Sequence, residues 1–156
     1  MKLEKMLKRE AIEAFKKRKR VLIREVHRLR EIVDILKNVE NPVLYEALLE
    51  VATVRAVKTV QNSGYTFKKF RLFLKSNLLK PFKKRISRVI VDLERHENEL
   101  TETIKKVKDY RDHLVVHLDP RFAFNEKDTE KASLREIEKI LTYLEANVKE
   151  LFEKEY

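Results

Sequence analysis

Three observations on these 156 residues predict an all-α fold: helical periodicity over most of the length, a single glycine (Gly64), and only three prolines. A sheet protein needs a turn every ten residues or so, and turns draw on glycine and proline. The expected architecture is a mostly antiparallel bundle of four to five helices, two of them long, in one domain over residues 1–156.

The first segment, from about Lys2 to Val39, reads as one long helix. Phe15, Leu22, Val26, Leu29, Val33 and Leu36 share a face. The run Lys16-Lys17-Arg18-Lys19-Arg20 crosses that stripe, either as a solvated face or as a basic arm. Asn41-Pro42 opens a second helix, with Asn as N-cap and Pro at the first helical position. From Val43 to Val60 apolar residues cover most of the circumference, which predicts a central, mostly buried helix. Asn62-Ser63-Gly64 ends it.

Thr66 caps a short third helix to about Leu79, with Phe67, Phe70, Leu74 and Leu78 on one side. The other side is expected to show Lys68, Lys69, Arg71 and Lys75. From Ile86 to Leu118 one stripe recurs at three- and four-residue steps, predicting a helix from Phe82 to Leu118, roughly 55 Å long. Asn98 offers an alternative start within it. His96 and Arg111 are the two polar members of that stripe. After Pro120 comes a loop, and Ser133-Leu134-Arg135-Glu136 forms a capping box for the last amphipathic helix.

Composition closes off several chemistries. Without cysteine there is no disulfide and no thiolate metal or redox site. One glycine cannot build a phosphate-cradling loop of the Rossmann or P-loop type. The charged N-terminus is no signal peptide, and no apolar run approaches the roughly 20 residues of a membrane span. A cytoplasmic protein with no cofactor and no membrane contact is the expectation.

Charge points to a polyanion. Residues 1–90 hold 24 Lys/Arg against 9 Asp/Glu, whereas residues 91–156 hold 12 against 17. No acid occurs between Val51 and Val91, an interval that carries eleven cations. Phe67, Phe70, Phe73 and Phe82 interleave with them, as core residues or as a stacking surface for bases.

The densest chemistry lies at Tyr110-Arg111-Asp112-His113-Leu114-Val115-Val116-His117-Leu118-Asp119-Pro120. On the apolar stripe, Arg111 needs either a glutamate from a neighbouring helix or an anion. His117, six residues on, lies about 120° round an ideal helix from it, so the two do not meet on one straight helix. A frayed end or a second subunit is required to bring them together. A histidine at a helix C-terminus is held protonated by the dipole, which suits a general acid. Asp109, His113 and His117 share a face at i, i+4 and i+8, a spacing that can also hold a divalent metal.

At Arg111-Asp112-x4-His117 the chain resembles the HEPN superfamily of small all-α domains, and the surrounding stretch is similar to its abortive-infection and toxin branch. The resemblance implies a metal-independent endoribonuclease acting as a homodimer, with two motifs in one cleft. It implies that His117 shuttles protons, that Arg111 stabilises the charge on the phosphorane, and that Asp112 orients one of them. A 2′,3′-cyclic phosphate product and, for a toxin, a neutralising antitoxin protein follow from it. Superfamily toxins silenced by a partner nucleotidyltransferase carry a tyrosine two residues after the histidine; this chain has Asp119 there. Lys68, Lys69, Arg71, Lys83, Lys84 and Arg85 are the expected RNA contacts. The alternative function is a non-catalytic helical module that binds nucleic acid or a partner protein.

Overall fold

The computed structural model describes residues 1–115 and 132–156, and among these it is an all-α bundle. Its helices are α1 (Ile12–Leu36), α2 (Pro42–Val60), α3 (Phe67–Asn77), α4 (Lys80–Glu99), α5 (Thr101–Tyr110) and α6 (Leu134–Val148). π-helical turns extend α5 over Arg111–Val115 and α6 over Lys149–Glu153.

Ion pairs and hydrogen bonds fix the directions. Arg30 meets Glu145 and Lys37 meets Glu138, so α1 and α6 run antiparallel. Glu25 meets Arg55 and Lys58 across α1 and α2, while Arg18 reaches the ring of Tyr65. Arg71 meets Glu97 and Lys75 meets Glu94, which sets α3 against α4 in the same sense. One continuous apolar core fills the middle, from Leu3 and Met6 through Phe15, Phe70 and Ile86 to Leu144 and Phe152.

The caps follow from sequence. Asn41 Oδ1 accepts from the Leu44 N–H at 3.0 Å, and Thr66 Oγ1 accepts from the Lys69 N–H at 3.3 Å. The Ser133/Glu136 capping box forms as expected. Gly64 has a φ of 77°, the left-handed region, but α2 already ends at Val60 and the glycine shapes the connector beyond it.

Three expectations need correction. The first helix does not begin at Lys2: Leu3–Met6 and Arg9–Ala11 are separate 3₁₀ turns. That strap is held by other partners. The Lys8 N–H donates to the Asn77 carbonyl at 2.9 Å and the Leu79 N–H to the Met6 carbonyl at 2.9 Å. Residue 1 pairs backbone to backbone with Tyr156.

The 55 Å helix is broken at Leu100, whose angles (φ −95°, ψ 7°) leave the helical region. There Thr101 Oγ1 donates to the Asn98 carbonyl at 2.7 Å, a local bond that competes with the helical ladder. The apolar stripe nevertheless continues through Leu93, Leu100 and Val107, all buried.

Helix α2 is not buried all round. Ala52, Ala56 and Val57 are in the core, but Val43 is 78% exposed, and Leu44, Val51 and Val54 are exposed too. The neighbours α1, α5 and α6 cover one side of α2 and leave the other to solvent. No helix among the described residues is long and apolar enough to cross a membrane.

Candidate functional site

Burial of Val107 and Tyr110 anchors the last turn of α5, and the backbone widens into the π turn at the residue that follows. Such π insertions are often found at functional sites. The Arg111 side chain is 17% exposed, neither idle in the core nor free in water. Its Nε donates to Asp112 Oδ1 at 2.6 Å, and Nη2 lies 2.5 Å from the same oxygen. Nη1 donates to Gln61 Oε1, at the end of α2, at 3.1 Å. Among the described residues these contacts use three of the guanidinium's five N–H donors. The expected glutamate from another helix is absent from this set. The counter-charge comes from the next residue in the chain, and the interhelical tie is to the sole glutamine.

Beside this tie lies a polar cleft of about 400 Å³, lined by Gln61, Asn62, Lys68, Arg71, Asn98, Thr101 and Lys108 and also by the carboxylates of Glu94 and Glu97. The ends of α2 and α4 and the starts of α3 and α5 converge there, so the break at Leu100 shapes one of its walls. Lys68 Nζ reaches Asn62 Oδ1 at 3.4 Å. Gln61 therefore links Arg111 to a cleft that already carries two ammonium groups. An anionic ligand there meets Lys68, Lys108, amide donors and a hydroxyl, beside two carboxylates, Glu94 and Glu97, that Lys75 and Arg71 already pair.

The expected RNA contacts divide. Lys68, Lys69, Lys83, Lys84 and Arg85 are exposed, with Arg85 5.9 Å from the ring centre of Tyr156. Arg71 is the correction: it is 1% exposed and belongs to the core. It ion-pairs with Glu97, donates to the Tyr143 hydroxyl at 2.7 Å and to Asn147 Oδ1 at 3.0 Å, and its Nε has no partner among the described residues. Glu97 also accepts from the Tyr143 hydroxyl at 3.1 Å. Burial raises the pKa of that phenol, against the pull of Arg71. A guanidinium so enclosed cannot reach a phosphate on the surface.

The acid-free interval is likewise less free in three dimensions. Glu25 takes up Lys58 at 2.7 Å and Arg55 at 3.1 Å, and Glu94 takes up Lys75 at 2.7 Å. The phenylalanines are core residues rather than a stacking surface: Phe67 and Phe70 are buried and pack with Phe15 and Phe152.

His117 and Asp119 lie outside the described residues, so the predicted Arg111–His117 pairing is not on view. Asp109 and His113 are partly buried, and among the described residues no three His, Asp or Glu side chains converge as a metal site. His96 packs edge-on against Tyr143 at 5.4 Å, and His27 is exposed on α1.

Two features escaped the sequence reading. The partnership of Gln61 with Arg111 had no signal beyond its being the only glutamine. The Arg71 network did have one. Arg71 lies four residues after Phe67 and three before Leu74, on the same helical face, and Asn147 lies among the apolar positions of α6. Polar groups at core positions announce each other as partners. Compared with known proteins, the chain matches no family model, no curated protein and no solved structure.

Proposed function

We propose that this protein is a metal-independent endoribonuclease of HEPN type, a toxin or phage-defence effector. The observation that carries the reading is Arg111. Its guanidinium is clamped by Asp112 and by Gln61, which lines a polar cleft carrying Lys68 and Lys108, and keeps two N–H donors uncommitted among the described residues. A preorganised, permanently charged donor of this kind stabilises a phosphorane more than it does the starting diester.

In this mechanism His117 accepts the proton of an RNA 2′-hydroxyl, and the oxygen attacks the adjacent phosphorus. The P–O5′ bond breaks, and the same proton returns to the leaving 5′-oxygen. The products are a 2′,3′-cyclic phosphate and a free 5′-hydroxyl; DNA, without the 2′-hydroxyl, is not cut. Asp112 holds the guanidinium in orientation. Two chains supply the two motifs of one cleft. In support of a homodimer, exposed Leu44, Ala47, Val51 and Val54 follow each other on α2 at steps of three, four and three, the spacing of a seam between paired helices.

The test is incubation of the purified protein with RNA in EDTA. Wild type cleaves, while Arg111→Ala and His117→Ala each lose about 10²–10³-fold or more in rate. Absence of cleavage by wild type, or full activity in both variants, overturns the reading. A monomer by light scattering at micromolar concentration counts against the shared cleft.

The exposed, acid-free Lys83, Lys84 and Arg85 favour a second reading, a non-catalytic module that binds nucleic acid. Salt-sensitive RNA binding that survives His117→Ala, with no cleavage, identifies it.

A further inference from the structure

A strongly cationic surface lies on the outer side of α1. Lys16, Arg20, Arg24 and Arg28 follow one another at i, i+4 steps and are all exposed. They form one row along the helix, with about 6 Å of rise per step and about 18 Å in all. Lys19, Ile23, His27 and Glu31 form the parallel row, and with Glu4 the two rows line an open groove of about 670 Å³.

Like charges at i, i+4 repel, so this arrangement opposes helix formation unless something neutralises it. At other places on α1 and α2 the fold neutralises its cations: Arg30 takes Glu145, Lys37 takes Glu138, Arg55 and Lys58 take Glu25. Here it does not. Arg20 and Arg28 make no ion pair among the described residues. Lys16 has only Glu13 at 3.5 Å, and Arg24 reaches Glu25 at 3.9 Å, a carboxylate already held by two closer cations. The neighbouring Arg18 and Lys19 are instead drawn onto aromatic rings, Arg18 over Phe73 at 4.9 Å and Lys19 over Phe152 at 5.8 Å. The exposed row is thus left projecting its charge outward.

We infer that this groove is the docking track for the phosphate backbone of one RNA strand, bound without regard to sequence. A row of cations that rises about 6 Å and winds about 40° round the helix at each step can follow the successive phosphates of a flexible single strand, and release of condensed counterions drives the association. An anionic membrane is a poor fit, because a helix lying on lipid needs a broad apolar face to bury. The groove offers only Ile23. The inference rests on RNA being the ligand, as proposed above, but needs no chemistry at Arg111.

The test uses the full chain and a fluorescent 2′-O-methyl RNA of mixed sequence, which cannot be cleaved. Anisotropy is followed against salt for wild type, for the triple variant R20Q/R24Q/R28Q, and for K83Q/K84Q/R85Q. The α1 variant is expected to bind at least about tenfold more weakly near 0.1 M salt. Its slope of log affinity against log salt is expected to be shallower by about 2, three phosphate contacts having been removed. A DNA strand of the same sequence binds wild type comparably, because the row reads phosphates. The variant's melting temperature is unchanged or raised, since only repulsion is removed.

An unchanged slope in the α1 variant, with the loss appearing in K83Q/K84Q/R85Q instead, overturns the inference. So does a defect confined to binding of phosphatidylserine vesicles. Failure of the nuclease reading is separable: wild type that binds through α1 but never cuts RNA leaves the track standing and removes only the chemistry.

Discussion

Arg71 and Arg111 are opposite uses of the same side chain. Arg71 is sealed in the core among Glu97, Tyr143 and Asn147, each from a helix other than its own. Arg111 sits at a helix end, partly exposed, held by the residue next to it and by one amide that lines a cleft. The first is a cross-brace for α3, α4 and α6, and the second is a charge held locally at the end of α5. Tethering distance tells them apart. Ion pairs between helices stabilise tertiary structure, whereas a pair between adjacent residues fixes a side chain's pose with little effect on the fold.

The largest effect expected from this contrast is at the brace. Glu97→Ala leaves the guanidinium of Arg71 buried without its counter-charge, and unfolding in urea should show a loss of about 3–5 kcal/mol. Glu97→Gln keeps an acceptor and should recover part of it. A change under about 1 kcal/mol in Glu97→Ala would mean that the network carries little of the stability. Arg111→Ala should do the reverse, moving stability by only about 1 kcal/mol, as for a partly exposed pair, while RNA cleavage falls by about 10²–10³-fold. If Arg111→Ala melts the protein as severely as Glu97→Ala, the two arginines are braces of the same kind and the case for a site at Arg111 weakens.

Between these extremes stands Glu25, buried on α1 and gripped by Lys58 and Arg55 of α2. Burial works against its charge, but the hydrogen bond from Lys58 and the charges of Lys58, Arg55 and Arg24 prevail, and its pKa falls below the ordinary 4.5. The unfolded chain therefore takes up this proton before the folded one does. The contribution is fully present above about pH 4.5 and is lost as pH falls through the depressed folded value. Glu25→Gln should lower stability by about 1–2 kcal/mol at pH 7, and the difference from wild type should shrink steadily as pH falls below about 4.5. A difference that does not change with pH over that acid range would assign the loss to packing rather than to charge.

What the sequence made legible, and what it did not, follows the same division. Caps at Asn41, Thr66 and Ser133 depend on neighbours three residues away, and the structure has all three. Helical faces depend on periodicity, and the buried stripe through Leu93, Leu100 and Val107 follows it even across the break. The assignment of Arg71 to the surface passed over its place between Phe67 and Leu74 on the buried face, while the identity of its partners, 26 to 76 residues away, lay beyond any local rule. Charge counted along the chain misled in the same way. The interval from Val51 to Val91 has no acid of its own, yet Glu25, Glu94 and Glu97 come to it in space. At Arg111 the residue was found, but its tie to Gln61 spans 50 positions and was invisible.

The smallest expected effect tests the connector that serves both arginines. Residues 61–66 join α2, whose end supplies Gln61 to Arg111, to α3, which carries Arg71. Gly64 turns this connector with a φ of 77°, and a Cβ built there meets nothing within 4 Å. Gly64→Ala therefore clashes with no neighbour, and its penalty is the left-handed backbone alone, about 1 kcal/mol. Because α3 is pinned separately by the Arg71 network, the brace should absorb the change, and melting should fall by only a few degrees. Gln61 is tied to α2 by its backbone N–H on the Val57 carbonyl at 2.9 Å, but its side chain reaches Arg111 from the very start of the connector. Cleavage should then drop by more than the stability loss explains when measured well below the melting temperature. Cleavage that tracks the folded fraction alone would show that the pose of Arg111 does not depend on the connector, leaving Asp112 as its sole determinant among the described contacts.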